Sequence, residues 1–234
     1  MLTQEDFRYL SMSPFSIPPL FEVDMDLFLP DFEQCGTLLH YKKGQILFSQ
    51  EHQTQSVQIL KTGAVLESSS NTNGLEKGVL CFPTYPIAFA AAIHQQPTVY
   101  SVTAFTDATT ISVPYNNYMT LMQQNRNILE RSLRFVAFDS RNANVTILQN
   151  CACSTTEKIY QTIFYYYLAC QYYPPLHSIK LTQNLLAILS GVHRTSVAHT
   201  IKDLKEMEII RLEKKDLCVL EPKILEDIAF AHLL

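Results

Sequence analysis

The sequence predicts an α+β chain in three consecutive parts: an N-terminal β-roll of the cupin-like jelly-roll kind, one long helix, and a C-terminal winged helix-turn-helix. Three observations predict it. Short β-type runs separated by turn residues fill residues 1–115; a stretch with neither glycine nor proline runs from Tyr115 to Ala152; and residues 181–210, LTQNLLAILSGVHRTSVAHTIKDLKEMEII, carry two helical periods hinged at Gly191. The boundaries that follow are a β-roll over 1–115, a dimerisation helix over 116–152 and a winged-helix domain over 153–234.

In the first part the β-type runs are Leu38 to Tyr41, Gln45 to Phe48, Val57 to Leu60, Ala64 to Ser68, Val99 to Phe105 and Thr109 to Val113. Turn signals at Lys43-Gly44, Thr62-Gly63 and Asn71 to Gly74, with several prolines, separate them, which suits a small barrel or sandwich. In the second part Leu129, Leu133, Val136, Ser140, Ala143 and Ile147 alternate spacings of four and three, a heptad seam thin in its middle. Such a seam packs either on its own domain or on its copy in a dimer. Thr155 to Gln171 then reads as a supporting helix whose aromatic patch, Phe164 to Tyr167, is core and interface rather than a stacking platform for bases.

The helix pair follows. Thr182 is a good N-cap, Leu185, Leu186 and Leu189 form the buried face, and Gly191 suits a left-handed turn that other residues enter only at a cost. In the second helix Val197, Ile201 and Leu204 fall at i, i+4 and i+7, which turns Arg194, Thr195, Ser196, Ala198, His199 and Lys202 outward. That is the layout of a helix-turn-helix whose second helix enters a major groove; the bland alternative is a helical hairpin with a merely solvated polar face. Ile209 to Leu220 reads as two short strands around Lys214, Lys215 and Asp216, a wing beside the pair.

Composition bounds the function. The chain has 234 residues, 47% hydrophobic and 17% charged, enough for two modest domains with a real core. There is no run long enough for a membrane helix and no cationic start with an apolar core, so a cytoplasmic location without membrane contact is expected. The six cysteines are scattered without metal-ligand spacing, and reduced thiols are the default. Residues 1–150 hold 9 Lys+Arg against 13 Asp+Glu and carry all of the net charge of -4, while residues 151–234 hold 9 of each. Between 177 and 205, however, Lys180, Arg194, Lys202 and Lys205 stand against Asp203 alone. A local positive field of this size supports few phosphate contacts, so dimerisation is needed to double them.

The order of parts, with LTQNLLAILSGVHRTSVAHTIKDLKEMEII and the roll segment YKKGQILFSQEHQTQSVQILKTGAVLES, resembles the Crp/Fnr family of bacterial transcription regulators over nearly the whole chain. The resemblance implies a homodimeric switch, typically an activator, whose partners are double-stranded DNA with a palindromic operator and RNA polymerase. Carried onto this sequence, it makes Arg194 the leading base or phosphate contact and Thr195 and Ser196 contacts to phosphate or a thymine methyl. Lys202 becomes a backbone contact, with His193, Thr182 and Lys180 at the edges. His199 stands where many members read guanine with arginine, so an idiosyncratic half-site is expected.

The family's effector chemistry is only partly matched. Its cyclic-nucleotide members carry a Gly-Glu and an Arg-Ser pair where this chain has Ala88-Phe89 and Thr98-Val99, which leaves a phosphate poorly neutralised. Cys35 and Cys81 are too few for a four-cysteine cluster, and His94 alone is a weak haem ligand. No cofactor is implied beyond an unknown small-molecule effector. The expected effector is small and uncharged or aromatic, held in an apolar cavity by Phe89, Ala90, Thr98, Val99 and Tyr100 and closed by the helix near Ala143 and Asn144, somewhat as in the halogenated-phenol sensors. A filled core with no ligand is the alternative.

Other readings are an effector-free regulator, a redox-responsive one acting through Cys151 and Cys153, and an enzyme with a helical dimerisation module. The last has no catalytic set to support it: no Ser/His/Asp arrangement, paired carboxylates, phosphate-cradling glycine loop or metal cluster is evident.

Overall fold

The computed structural model describes residues 2–21, 29–213 and 216–231. They form two compact units: residues 16–69 with 80–141, and residues 1–15 with 70–79 and 142–234. These units are not contiguous in sequence, in contrast to the three consecutive parts expected. The first helix shows why. α1 (Gln4–Leu10) starts where the Thr3 hydroxyl accepts the Asp6 amide at 3.0 Å, and Tyr9 then packs on Phe164 and Phe230 at ring separations of 5.3 and 4.7 Å.

The strands are β1 (Phe15–Ser16), β2 (Thr37–Tyr41), β3 (Ile46–Phe48), β4 (Ser56–Thr62), β5 (Val65–Ser70), β6 (Glu76–Cys81), β7 (Pro86–Ile87), β8 (Ser101–Ala104) and β9 (Ala108–Pro114). They build a five-stranded sheet of order β1-β6-β5-β8-β3 and a four-stranded sheet of order β2-β9-β4-β7. Each of the six expected β runs overlaps one strand. β6 escaped the sequence reading because Glu76-Lys77-Gly78 breaks the alternation. Gly63 makes the β4–β5 turn at φ +84, and a Cβ there would stand 2.2 Å from the Asp107 carbonyl, so only glycine fits.

The core of this unit joins Val57, Ile59, Ile111 and Val113 of the four-stranded sheet to Phe32 of α2 (Leu29–Cys35) and Phe89 of α3 (Phe89–His94). Tyr118 and Ile128 complete it from two further helices, and burying eight such side chains is the main stabilising term. The uninterrupted helix expected from Tyr115 to Ala152 is in fact two: α4 (Tyr115–Gln124) and α5 (Arg126–Ala152). Asn125 breaks it. Its backbone is extended (φ -121, ψ 102), its side-chain oxygen accepts the Asn127 amide at 3.0 Å, and its amide nitrogen donates to Asp31 at 3.1 Å, local bonds that outcompete a helical turn.

In the other unit α6 (Thr155–Tyr172) opens with a reciprocal cap: the Ser154 amide donates to Glu157 at 2.7 Å, and the Glu157 amide donates to the Ser154 hydroxyl at 3.2 Å. Its aromatic patch is structural. Phe164, Tyr165 and Tyr166 are buried, and the Tyr166 hydroxyl donates to the Ile179 carbonyl at 2.8 Å. Against α6 pack α7 (Gln183–Ser190), α8 (Arg194–Glu206) and α9 (Pro222–Phe230). Between α8 and α9, β10 (Ile210–Glu213) and β11 (Asp216–Val219) pair antiparallel with Arg211 opposite Cys218. Lys214 and Lys215, read as the tip of the wing, lie outside the described residues. Among the described residues no helix is long and apolar enough to cross a membrane.

Candidate functional site

The α7–α8 pair is fixed by its caps and its turn. The Thr182 hydroxyl accepts the Leu185 amide at 3.2 Å, and Gly191 ends α7 at φ +67, with the Val192 amide reaching back to Ala187 at 3.1 Å. Beside the turn, the Lys77 ammonium donates to the Leu189 carbonyl at 2.7 Å, and burial lowers its pKa to about 8. The lysine stem lies so close that a Cβ on Gly191 would come within 2.7 Å of it.

On α8 the burial is one-sided. Val197, Thr200, Ile201 and Leu204 are buried, while His193, Arg194, Thr195, Ala198, His199 and Lys202 are exposed. Ser196 is only half-buried, and Lys202 stands 3.6 Å from Glu206 one turn on. An open row of cations and hydroxyls on one face of a helix suits contacts to anionic oxygens and base edges. Lys180 is exposed as well, but the Thr182 hydroxyl is engaged by its own cap, which leaves this residue a structural part. A cleft of about 370 Å³ opens beside Arg194, lined also by Leu181, Gln183, Asn184 and Leu212. Gln183 and Asn184 were missed in the sequence, because at the start of a helix they read as ordinary polar surface.

α5 presents an apolar row to solvent. Leu129, Leu133, Val136 and Ile147 of the heptad seam are all exposed, Leu133 by 62% and Ile147 by 59%. Apolar exposure along one helix face is a cost in water unless another surface covers it.

The roll interior differs from the apolar cavity expected. Phe89 is buried against Tyr118 and Phe135, Thr98 is buried with its hydroxyl donating to the Ser49 carbonyl at 2.9 Å, and Tyr100 is half-buried. Ala90 and Val99 do not line an interior: α3 turns Ala90 outward, and Val99, in the turn before β8, is 75% exposed. Ala143 and Asn144 on α5 are exposed too. Polar groups lie inside instead. Glu67 on β5 is 7% exposed, accepts the Tyr85 hydroxyl at 3.1 Å, and has its pKa raised to about 8, chiefly by burial. Its other carboxyl oxygen is buried without a partner. Ala88 beside it sits in the left-handed region at φ 55, a conformation costing a non-glycine residue roughly 1 kcal/mol. The one hint in the sequence was an acid inside the apolar run Ala64 to Ser68.

Among the described residues no three His, Cys, Asp or Glu side chains group as a metal site. The six cysteines are free; Cys151 is exposed, and Cys153 is half-buried beside the Gln161 amide at 3.4 Å.

Residues 38–125 match the family model of the cyclic nucleotide-binding domain. The HTH-type transcriptional regulator ArcR of Staphylococcus epidermidis is 24% identical over 206 residues, 83% of this chain and 86% of that protein. Among solved structures, CprK complexed with OCPA shares 15% identity at a TM-score of 0.67, over 93% of this chain and 97% of that one. The c-di-GMP-responsive regulator CLP of Xanthomonas campestris shares 13% identity at a TM-score of 0.69, over 82% and 97%. Similarity to the solved structures at these identities is a similarity of fold.

Proposed function

We propose that the chain is a Crp/Fnr-family transcription regulator, on the match of residues 38–125 to the cyclic nucleotide-binding domain and the similarity to ArcR, and that it acts as a homodimeric DNA-binding switch with a winged helix-turn-helix as its reading head. One observation carries the reading: the outward face of α8, where Arg194, Thr195, His199 and Lys202 are exposed over a buried stripe of Val197, Ile201 and Leu204. In this reading α8 enters the major groove, Arg194 grips a base edge or phosphate, Lys202 contacts the backbone, and the β10–β11 hairpin is the wing. The exposed α5 row pairs with its copy, so two heads meet a palindromic site in the cytoplasm and act with RNA polymerase.

The roll is the sensor, and its effector is not a cyclic nucleotide. The supporting observation is the buried Glu67 in the interior, a carboxyl that burial holds toward its protonated form and that offers a phosphate no counter-charge. The same group disfavours the fully uncharged ligand expected from the sequence, since an apolar molecule would leave its orphaned oxygen unpaired. A redox switch has less support: Cys151 and Cys153 are both free, the first exposed and the second half-buried, and no disulfide joins them.

Selection from random-sequence DNA with the purified protein, repeated with Arg194→Ala, tests the reading. A palindromic motif whose binding weakens in the variant is expected; absence of any enriched motif overturns it.

A further inference from the structure

Glu67 lacks something. Its carboxyl group is buried inside the roll, with one oxygen held by the Tyr85 hydroxyl at 3.1 Å and the other without a well-formed hydrogen bond, although the Ala88 amide and the Tyr100 hydroxyl act on the group and favour its charged form. The titratable groups acting on it are Tyr85 in the turn after β6, Tyr100 before β8, Cys81 on β6 and Asp139 on α5, with the Ala88 backbone beside it. All are acids or neutral donors; Arg131, a half-buried cation one turn before Phe135 on α5, acts on Tyr118. Burial of the Tyr85 and Cys81 groups raises their pKa values, and Glu67 adds to the rise, so the cluster favours holding its protons.

Aromatic rings complete the surroundings. Phe135 of α5 meets Tyr85 edge-on at 5.4 Å and Phe89 edge-on at 5.4 Å, and Tyr85 is the residue bonded to Glu67. Aromatic rings near a carboxyl group are the two features that attract an organic cation, through the ring quadrupole and direct charge pairing. An anion finds no opposite charge among these groups, and a neutral donor pairs the oxygen without balancing the charge that a deprotonated cluster would carry.

We propose that the roll binds a small organic cation on an aromatic or planar frame, an amidinium, guanidinium or ammonium, with Glu67 as its counter-ion, the Tyr85, Phe89 and Phe135 rings as walls and Asp139 at the rim. The proposal rests on the reading of the roll as the effector site. Of the groups around Glu67, Tyr100 and Phe135 are half-buried and Asp139 is exposed, so a ligand of this kind would enter on their side. Phe135 and Asp139 are four residues apart on α5 and so share a face, which makes that helix the element a ligand would engage directly. On binding, the Glu67 carboxyl gives its proton to water and pairs with the cation. Affinity should therefore rise with pH, about tenfold per unit, until the ordinary titration of Glu67 in the free protein, near 8, is passed.

The probes are benzamidine, benzamide and benzoate, one aromatic frame with positive, neutral and negative heads, each titrated at millimolar concentration into the full chain. Thermal unfolding is read at about pH 6.5 and about pH 9. Benzamidine is expected to raise Tm in a concentration-dependent way, more at the higher pH, and the response should vanish in E67Q; benzamide and benzoate should give little. Equal responses to all three probes, no response to benzamidine, or an undiminished response in E67Q each overturn the proposal. Should E67Q not fold, D139N changes only an exposed rim residue and must weaken the benzamidine response at the higher pH; a full response there counts equally against it. The readout contains no DNA. An operator found without a benzamidine response sinks the cation site alone, and a benzamidine response without an operator sinks the DNA reading alone.

Discussion

The outer face of α8 and the interior of the roll handle unpaired polar groups in opposite ways. On α8 the cations and hydroxyls are mostly open to water, with Lys202 3.6 Å from Glu206, and their exposure costs little until a partner displaces that water. In the roll the Glu67 carboxyl has been taken out of water, with one oxygen held by Tyr85 and the other poorly paired. The first kind of site can be altered without harming the fold, because nothing packs on it. The second kind stores an unfavourable term in the folded state, which a ligand or a proton must relieve.

The contrast is sharpest when the support of α8 is compared with its face. Leu186, fully buried beneath the helix pair, is expected to cost about 2–5 kcal/mol as Leu186→Ala, measured by denaturant unfolding. A loss below about 1 kcal/mol would mean that the pair is not packed as described.

The roll should show the next largest effect, and as a pH dependence. Glu67 has a folded pKa raised to about 8 against an ordinary value of 4.5, so the folded state holds a proton that the unfolded chain releases. Its contribution is complete below the ordinary value and is lost progressively as pH rises toward about 8, on the order of a few kcal/mol in all. Glu67→Gln removes this slope. If wild type and variant lose stability in parallel from acid to alkaline pH, Glu67 is not the stored term.

Arg194→Ala should move DNA affinity by about 1–3 kcal/mol and leave the unfolding midpoint unchanged, since the side chain is exposed. A drop in stability of similar size would place Arg194 in the fold rather than on the face. Gly191→Ala comes last, at about 1 kcal/mol of stability, from its positive φ and from the Lys77 stem that must give way. Full stability in that variant would show that the turn is looser than its geometry implies.

Most of the candidate site on α7 and α8 was legible along the chain. Thr182 as a cap, Gly191 as the turn and the Val197, Ile201, Leu204 stripe are all local signals, spaced within one or two helical turns, and the structure places each of them so. The strand runs of the roll were legible for the same reason, through their alternation. What failed needed distant partners. Asn125 breaks the long helix partly through Asp31, ninety-four residues away, and no window of sequence around Asn125 contains that bond. Ala90 and Val99 read as apolar lining because composition does not say which way a residue points.

The sequence by itself determined the element types, the caps and turns of the helix pair and the apolar row on α5, because these depend on neighbours a few residues apart. Only the tertiary structure decided that Glu67, Tyr85, Tyr100 and Asp139 act on one another, and that residues 1–15 and 70–79 group with 142–234. Burial and electrostatic coupling depend on distance in space, and β-sheet pairing and helix packing set that distance between residues far apart in the chain.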